Sequence, residues 1–92
     1  MGQREEYRKK LKVRGAGILE CNGIRDYSGR WVTWKGRDAY RFVIPPNTPE
    51  HITDKIVASM RFAFRAADIE SARGTGQDGV VRLAIFIMPK QP

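Results

Sequence analysis

The stretch Arg30–Phe42, RWVTWKGRDAYRF, alternates aromatic and cationic residues about the pair Lys35-Gly36. Glycine takes up positive φ at no steric cost, so the two strand-like runs that meet there predict an antiparallel hairpin with a two-residue turn. With Lys35 and Gly36 in the turn, Trp34 opposes Arg37, Thr33 opposes Asp38, Val32 opposes Ala39, Trp31 opposes Tyr40 and Arg30 opposes Arg41. Side chains alternate strictly along a strand. One face therefore receives Trp31, Thr33, Tyr40, Phe42 and Ile44, and the other receives Arg30, Val32, Trp34, Arg37, Ala39 and Arg41.

Upstream, residues 1–8, MGQREEYR, read as a flexible arm, with a turn of helix supported by Glu5–Lys9 and Glu6–Lys10 pairs as the alternative. From Lys9 to Glu20, Leu11 and Val13 alternate with Lys10, Lys12 and Arg14, which predicts a strand with one apolar and one cationic face. Cys21–Gly29, CNGIRDYSG, collects turn residues and predicts a loop.

Downstream, Pro45-Pro46-Asn47 ends the second hairpin strand. Thr48-Pro49-Glu50 predicts a helix start, with Thr48 as N-cap and Pro49 in the first helical position. Apolar residues at Ile52, Ile56, Met60, Ala63 and Ala67 extend that helix from Pro49 to about Ser71. The glycines of Arg73–Gly79, RGTGQDG, predict a mobile connector, and Val80–Met88, VVRLAIFIM, reads as a buried central strand ended by Pro89. The expected fold is α+β: a largely antiparallel four-stranded sheet in the order β-β-β-α-β, with one helix on one face, forming a single domain over residues 9–92. In outline this resembles single-sheet RNA-binding domains. However, KGRDAYRFV at 35–43 lacks the aromatic pattern of the RNA recognition motif, the first helix of that fold is missing from the predicted order, and no family is identified.

The net charge of +7 is concentrated at one end. Residues 1–41 hold eleven Lys/Arg against five Asp/Glu, whereas residues 42–92 hold six against five. Such a field gathers polyanions. Arginine outnumbers lysine eleven to six, and its planar donor fork suits phosphate or carboxylate. Cys21 is the only cysteine and His51 the only histidine, so neither a disulfide within the chain nor a cysteine- or histidine-rich metal site is expected. No apolar run reaches the roughly 18 residues that span a bilayer, and the N-terminus lacks the apolar core of a secretory signal, so the expected setting is the cytoplasm, away from membranes.

If the alternation held across all strands, the uncovered sheet face would gather Lys10, Lys12, Arg14, Arg30, Arg37, Arg41 and Arg82 around Trp34 and Phe86. Cations over aromatics suit phosphates and stacked bases. A wet sheet face can carry solubilising charge without any partner. Like charges directly opposed, as Arg30 and Arg41 would be, nevertheless cost a few tenths of a kcal/mol, which points to an anionic partner. The acids are scattered and no Ser or Cys has a base beside it, so catalysis is not expected and neither is a cofactor. The expected function is a small basic module that binds RNA or DNA. The alternative is a protein-interaction or inhibitor module, of the kind phages encode, docking on an acidic protein or a ribonucleoprotein. Phe62 and Ile69, set on the helix away from its main stripe, would then form a protein interface, and a homodimer through this helix is a third expectation.

Overall fold

Helix α1, Gly2–Cys21, occupies the segment whose alternation predicts a strand. In this computed structural model, which describes residues 2–90, residues 2–8 belong to its first two turns. The deciding period is 3.6, not 2: Tyr7, Leu11, Gly15, Ile18 and Leu19 share the inward side, whereas Val13, expected in the core, is 64% exposed. Two glycines within a helix cost stability, about 1 kcal/mol each against alanine. Gly15 has a reason to be there. A Cβ at that position would run into Cε2 and Cζ of the Phe42 ring, so only glycine lets the helix lie this close to the sheet.

The end of α1 is written in Asn22-Gly23-Ile24. Gly23 has φ +82, its N–H donates to Glu20 O at 3.0 Å, and the N–H of Ile24 donates to Leu19 O at 2.9 Å. That is a Schellman cap, closed by the apolar contact of Ile24 with Leu19 in the core. The predicted loop is therefore found only over residues 22–27: Cys21 ends the helix that precedes it, and Ser28 and Gly29 already belong to the strand that follows.

Strands β1, Ser28–Trp34, and β2, Arg37–Val43, form the predicted hairpin in the predicted register, from Trp34 opposite Arg37 to Arg30 opposite Arg41. Lys35 and Gly36 both have positive φ, 51 and 77, as a type I′ turn requires. Helix α2, Glu50–Ala63, follows. Its N-cap is Pro49 with no side-chain cap, because the hydroxyl of Thr48 donates instead to Pro45 O at 2.6 Å.

The helix predicted to reach Ser71 stops eight residues earlier. Strand β3, Ala67–Thr75, takes the remainder and pairs antiparallel with β4, Val81–Pro89. Ala67-Asp68-Ile69-Glu70 alternates apolar with charged, and nine ladder pairs with β4 outweigh a helical preference that no Gly or Pro interrupts. Within the expected mobile connector, Arg73–Thr75 is strand and the rest is a hydrogen-bonded turn, Gly79 N to Gly76 O and Gly76 N to Val80 O, both at 3.0 Å.

The element order is thus α-β-β-α-β-β, and the sheet order β1-β2-β4-β3 is antiparallel throughout. The fold class is α+β with four strands, as expected, but with two helices on one face. Leu11 and Leu19 of α1 and Ile56 and Met60 of α2 join Tyr40, Phe42, Ile85 and Ile87 in one core. Rings run through it: Trp31 on Tyr40 at 5.4 Å, Tyr40 on Phe42 at 5.0 Å and Tyr27 on Phe42 at 5.9 Å, each edge to face.

The two helix glycines give opposed expectations. Gly15→Ala meets the buried Phe42 ring and should lower stability by about 1–3 kcal/mol despite its better helix propensity. Gly17, where an added methyl would meet nothing within 4 Å, should gain about 0.5–1 kcal/mol as Gly17→Ala. Urea unfolding midpoints of the two variants check both signs.

Candidate functional site

On the face away from the helices, the ladder rows place Arg30 beside Arg41, Phe86 and Glu70, and Ala39 beside Val32. The face is not bare. Trp34 lies stacked on Phe86, centroids 3.9 Å apart and planes 13° from parallel, and packs with Ala39 and Met88 in a second small core. Ala39 is fully buried and Phe86 is 4% exposed, so the small Ala39 leaves room for the indole to reach β4. Such a stack contributes about 0.5–1.5 kcal/mol beyond the area it buries.

The acids of β3 stand on this same face. Glu70 Oε1 accepts from Trp34 Nε1 at 3.3 Å and from Lys35 Nζ at 2.8 Å. Asp68 Oδ2 accepts from Arg37 Nη1 at 2.8 Å, while Arg37 Nη2 donates to the carbonyls of Met88 and Pro89. Arg82 and Asp78 form a two-pronged pair at 3.1 and 2.9 Å. The Arg82 guanidinium and the Val80 N–H hold the Asp78 carboxyl down to about 2. Hydrogen bonds from Arg37 and from Lys35 likewise hold Asp68 and Glu70 below their ordinary values.

The expected cationic platform therefore comes apart. Lys10, Lys12 and Arg14 sit on α1, across the sheet from Arg30 and Arg41. Trp34, Arg37 and Arg82 are engaged by Phe86, Asp68 and Asp78. Arg30 is exposed, and Arg41 is half-buried with its Nε shielded from solvent and meeting no acceptor. Phe62 and Ile69 do not share a surface: Phe62 is 72% exposed with Arg65 over its ring at 4.6 Å, whereas Ile69 is buried in β3 opposite Ile87. The acids Asp68 and Glu70 escape a reading of the sequence in which the apolar spacing of α2 runs on through residues 67–71. Their alternation with Ala67 and Ile69 is the signal that could have found them.

Two features remain. Arg41 and Arg82 border a groove of about 370 Å3 on the outer sheet face, floored by Val43, Ala72, Ala84 and Phe86, whereas Arg73, opposite Leu83, starts from the helix-covered face. On α1, Lys9, Lys10, Lys12 and Arg14 are all exposed around Val13. Among the described residues, no group of three or more His, Cys, Asp or Glu could hold a metal ion, and no helix is long and apolar enough to cross a membrane. The chain matches no protein-family model, no curated protein and no solved structure.

The pairs of Asp68, Glu70 and Asp78 carry a pH dependence with a definite sign. Each carboxyl titrates below its unfolded value, so its contribution is complete above the unfolded carboxylate range and is lost as the pH falls through the folded value, about 2 for Asp78. Urea midpoints should therefore decline progressively below about pH 4, and Asp78→Asn should flatten the lowest part of that decline.

Proposed function

We propose that the protein is a small nucleic-acid-binding module that makes its main contact through the outer flank of α1 and acts by binding, without catalysis. The observation that supports this is the set Lys9, Lys10, Lys12 and Arg14, exposed and without an ion-pair partner among the described residues. The cations of the outer sheet face are largely neutralised by β3 and Asp78. Those of α1 are not. Six residues of helix rise about 9 Å, enough to pass several phosphates of a duplex that carries one charge per roughly 1.7 Å of axis. Counterion release would then drive an association that reads charge and not sequence. Arg30, on the far side of the sheet, is not needed for this contact. Exposed Cys21 fits a reducing, cytoplasmic setting.

A second proposal, an acidic protein or ribonucleoprotein surface as partner, is favoured by Val13. An apolar side chain 64% exposed amid four cations gives a partner something to bury that a phosphate backbone does not use.

Binding to duplex and single-stranded DNA and RNA, titrated at several salt concentrations, separates the two. With all four cations on a B-form duplex, log affinity should fall against log salt with a slope of about −3 to −4, and Lys10→Glu/Lys12→Glu should remove about two units of it. Val13→Ser should leave that slope unchanged. Negligible affinity for every nucleic acid at low salt would overturn the nucleic-acid reading and leave the protein partner.

A further inference from the structure

Helices α1 and α2 pack against each other and run antiparallel, because residues 22–26, just after α1, share one hollow with residues 45–49 and Ile52 at the start of α2. Counting along both helices from that end at about 1.5 Å per residue, Phe62 comes level with Lys9 and Lys10, and Lys55 with Ala16. The flanks follow from what each helix touches. Arg8 lies over Trp31 of β1 at 4.7 Å, so Arg8 and Lys12 face the β1 edge, while Lys10 and Arg14, about 200° round the helix, face α2. On α2, Glu50, Asp54 and Val57 share a hollow with Ser71 and Arg73 of β3, which turns Lys55, Ser59 and Phe62 towards α1.

The furrow between the helices therefore has Lys10 and Arg14 on one wall and Lys55 on the other, with Phe62 on the rim. Phe62 is 72% exposed, and the Arg65 guanidinium lies over its ring at 4.6 Å. None of these four cations has an ion-pair partner among the described residues. Of the acids described on the helices, Glu50 and Asp54 stand on the far flank, Glu20 accepts from the Tyr27 hydroxyl, and Glu6 sits one turn before Lys10. A lone exposed phenylalanine is ordinary on a protein surface. One set among unpaired cations fits a particular partner. A duplex would neutralise the charges but keep its bases stacked inside, leaving the ring in water, whereas a single strand offers both phosphates and open base faces.

We infer that the furrow between α1 and α2 binds single-stranded nucleic acid, its phosphates along Lys10, Arg14 and Lys55 and a base stacked on Phe62 beside Arg65. This rests on the reading of α1 as a nucleic-acid contact, and adds to it the class of strand and the second helix. Recognition of this kind tolerates many sequences, because every base has a π-face.

Fluorescence anisotropy of the full chain with labelled oligo-dT and oligo-U of about ten nucleotides, and with a duplex of the same length, tests it at low salt. Phe62→Ala, at an exposed position where folding is not at stake, should weaken single-strand binding at least about fivefold and duplex binding less than about twofold. Phe62→Trp should restore the single-strand affinity. The single-strand salt slope should be unchanged in Phe62→Ala, because stacking releases no counterion, and should shrink by about 0.7 in Lys55→Gln. A strand made of abasic sites should bind more weakly and be indifferent to Phe62→Ala. The arm, oligo-dT or oligo-U, with the larger Phe62 effect names the strand. Single-strand affinity that survives Phe62→Ala but is lost in Lys10→Glu/Lys12→Glu overturns this inference and leaves the α1 contact standing. Binding of no nucleic acid at all overturns both.

Discussion

The close approach of Gly15 to Phe42 is the contact on which the arrangement of layers depends. Without a side chain at that one position, α1 can lie against the middle of β2, where it brings Leu11 and Leu19 into the same core as Ile56 and Met60 of α2. Phe42 is in turn held by Tyr40 and Tyr27, so the helix rests on a ring that cannot step aside. The consequence for surface chemistry is direct. Once α1 is committed to this side, its cations face solvent on the helical layer, and the outer sheet face is left to the arginines of the strands.

The outer face is organised by β3. An edge strand bearing Asp68 and Glu70 reaches the hairpin across β4, tying Arg37, Lys35 and Trp34 to an element more than thirty residues away in the chain. Surface ion pairs of this kind are individually weak. Here they act together with the Trp34–Phe86 stack, and the result is a sheet whose outer side is part core, part ionic lattice, and open only where alanines line the floor.

What can be read from the sequence divides along the same lines. The hairpin is legible to the residue, because a Gly at the turn and strict alternation on either side leave a single register that hides Trp31, Tyr40 and Phe42. The long strand β4 is legible from a run that is apolar but for Arg82. Lys9–Glu20 misleads because Leu11 and Val13 alternate with cations over just five residues, whereas the helical spacing of Tyr7, Leu11, Gly15 and Leu19 hides its third member in a glycine. Residues 64–71 mislead because no Gly or Pro interrupts the apolar spacing of α2 there, so the short alternation Ala67-Asp68-Ile69-Glu70 is outweighed until pairing with β4 is known. Those two segments account for the displaced site. They put three α1 cations on the sheet and take two β3 acids off it.

Trp31 and Trp34 are the only tryptophans, and three residues of strand put them on opposite sides of the sheet. Trp31 sits beneath the Arg8 guanidinium of α1 at 4.7 Å and packs against Tyr40 in the core between sheet and helices, while Trp34 lies on Phe86 at the wall of the outer groove. The molecule thus contains two fluorophores in separate surroundings. Emission from a chain carrying Trp34→Phe reports on whether α1 is seated, and emission from one carrying Trp31→Phe reports on what enters the groove, so events on the two faces can be followed independently without any added label.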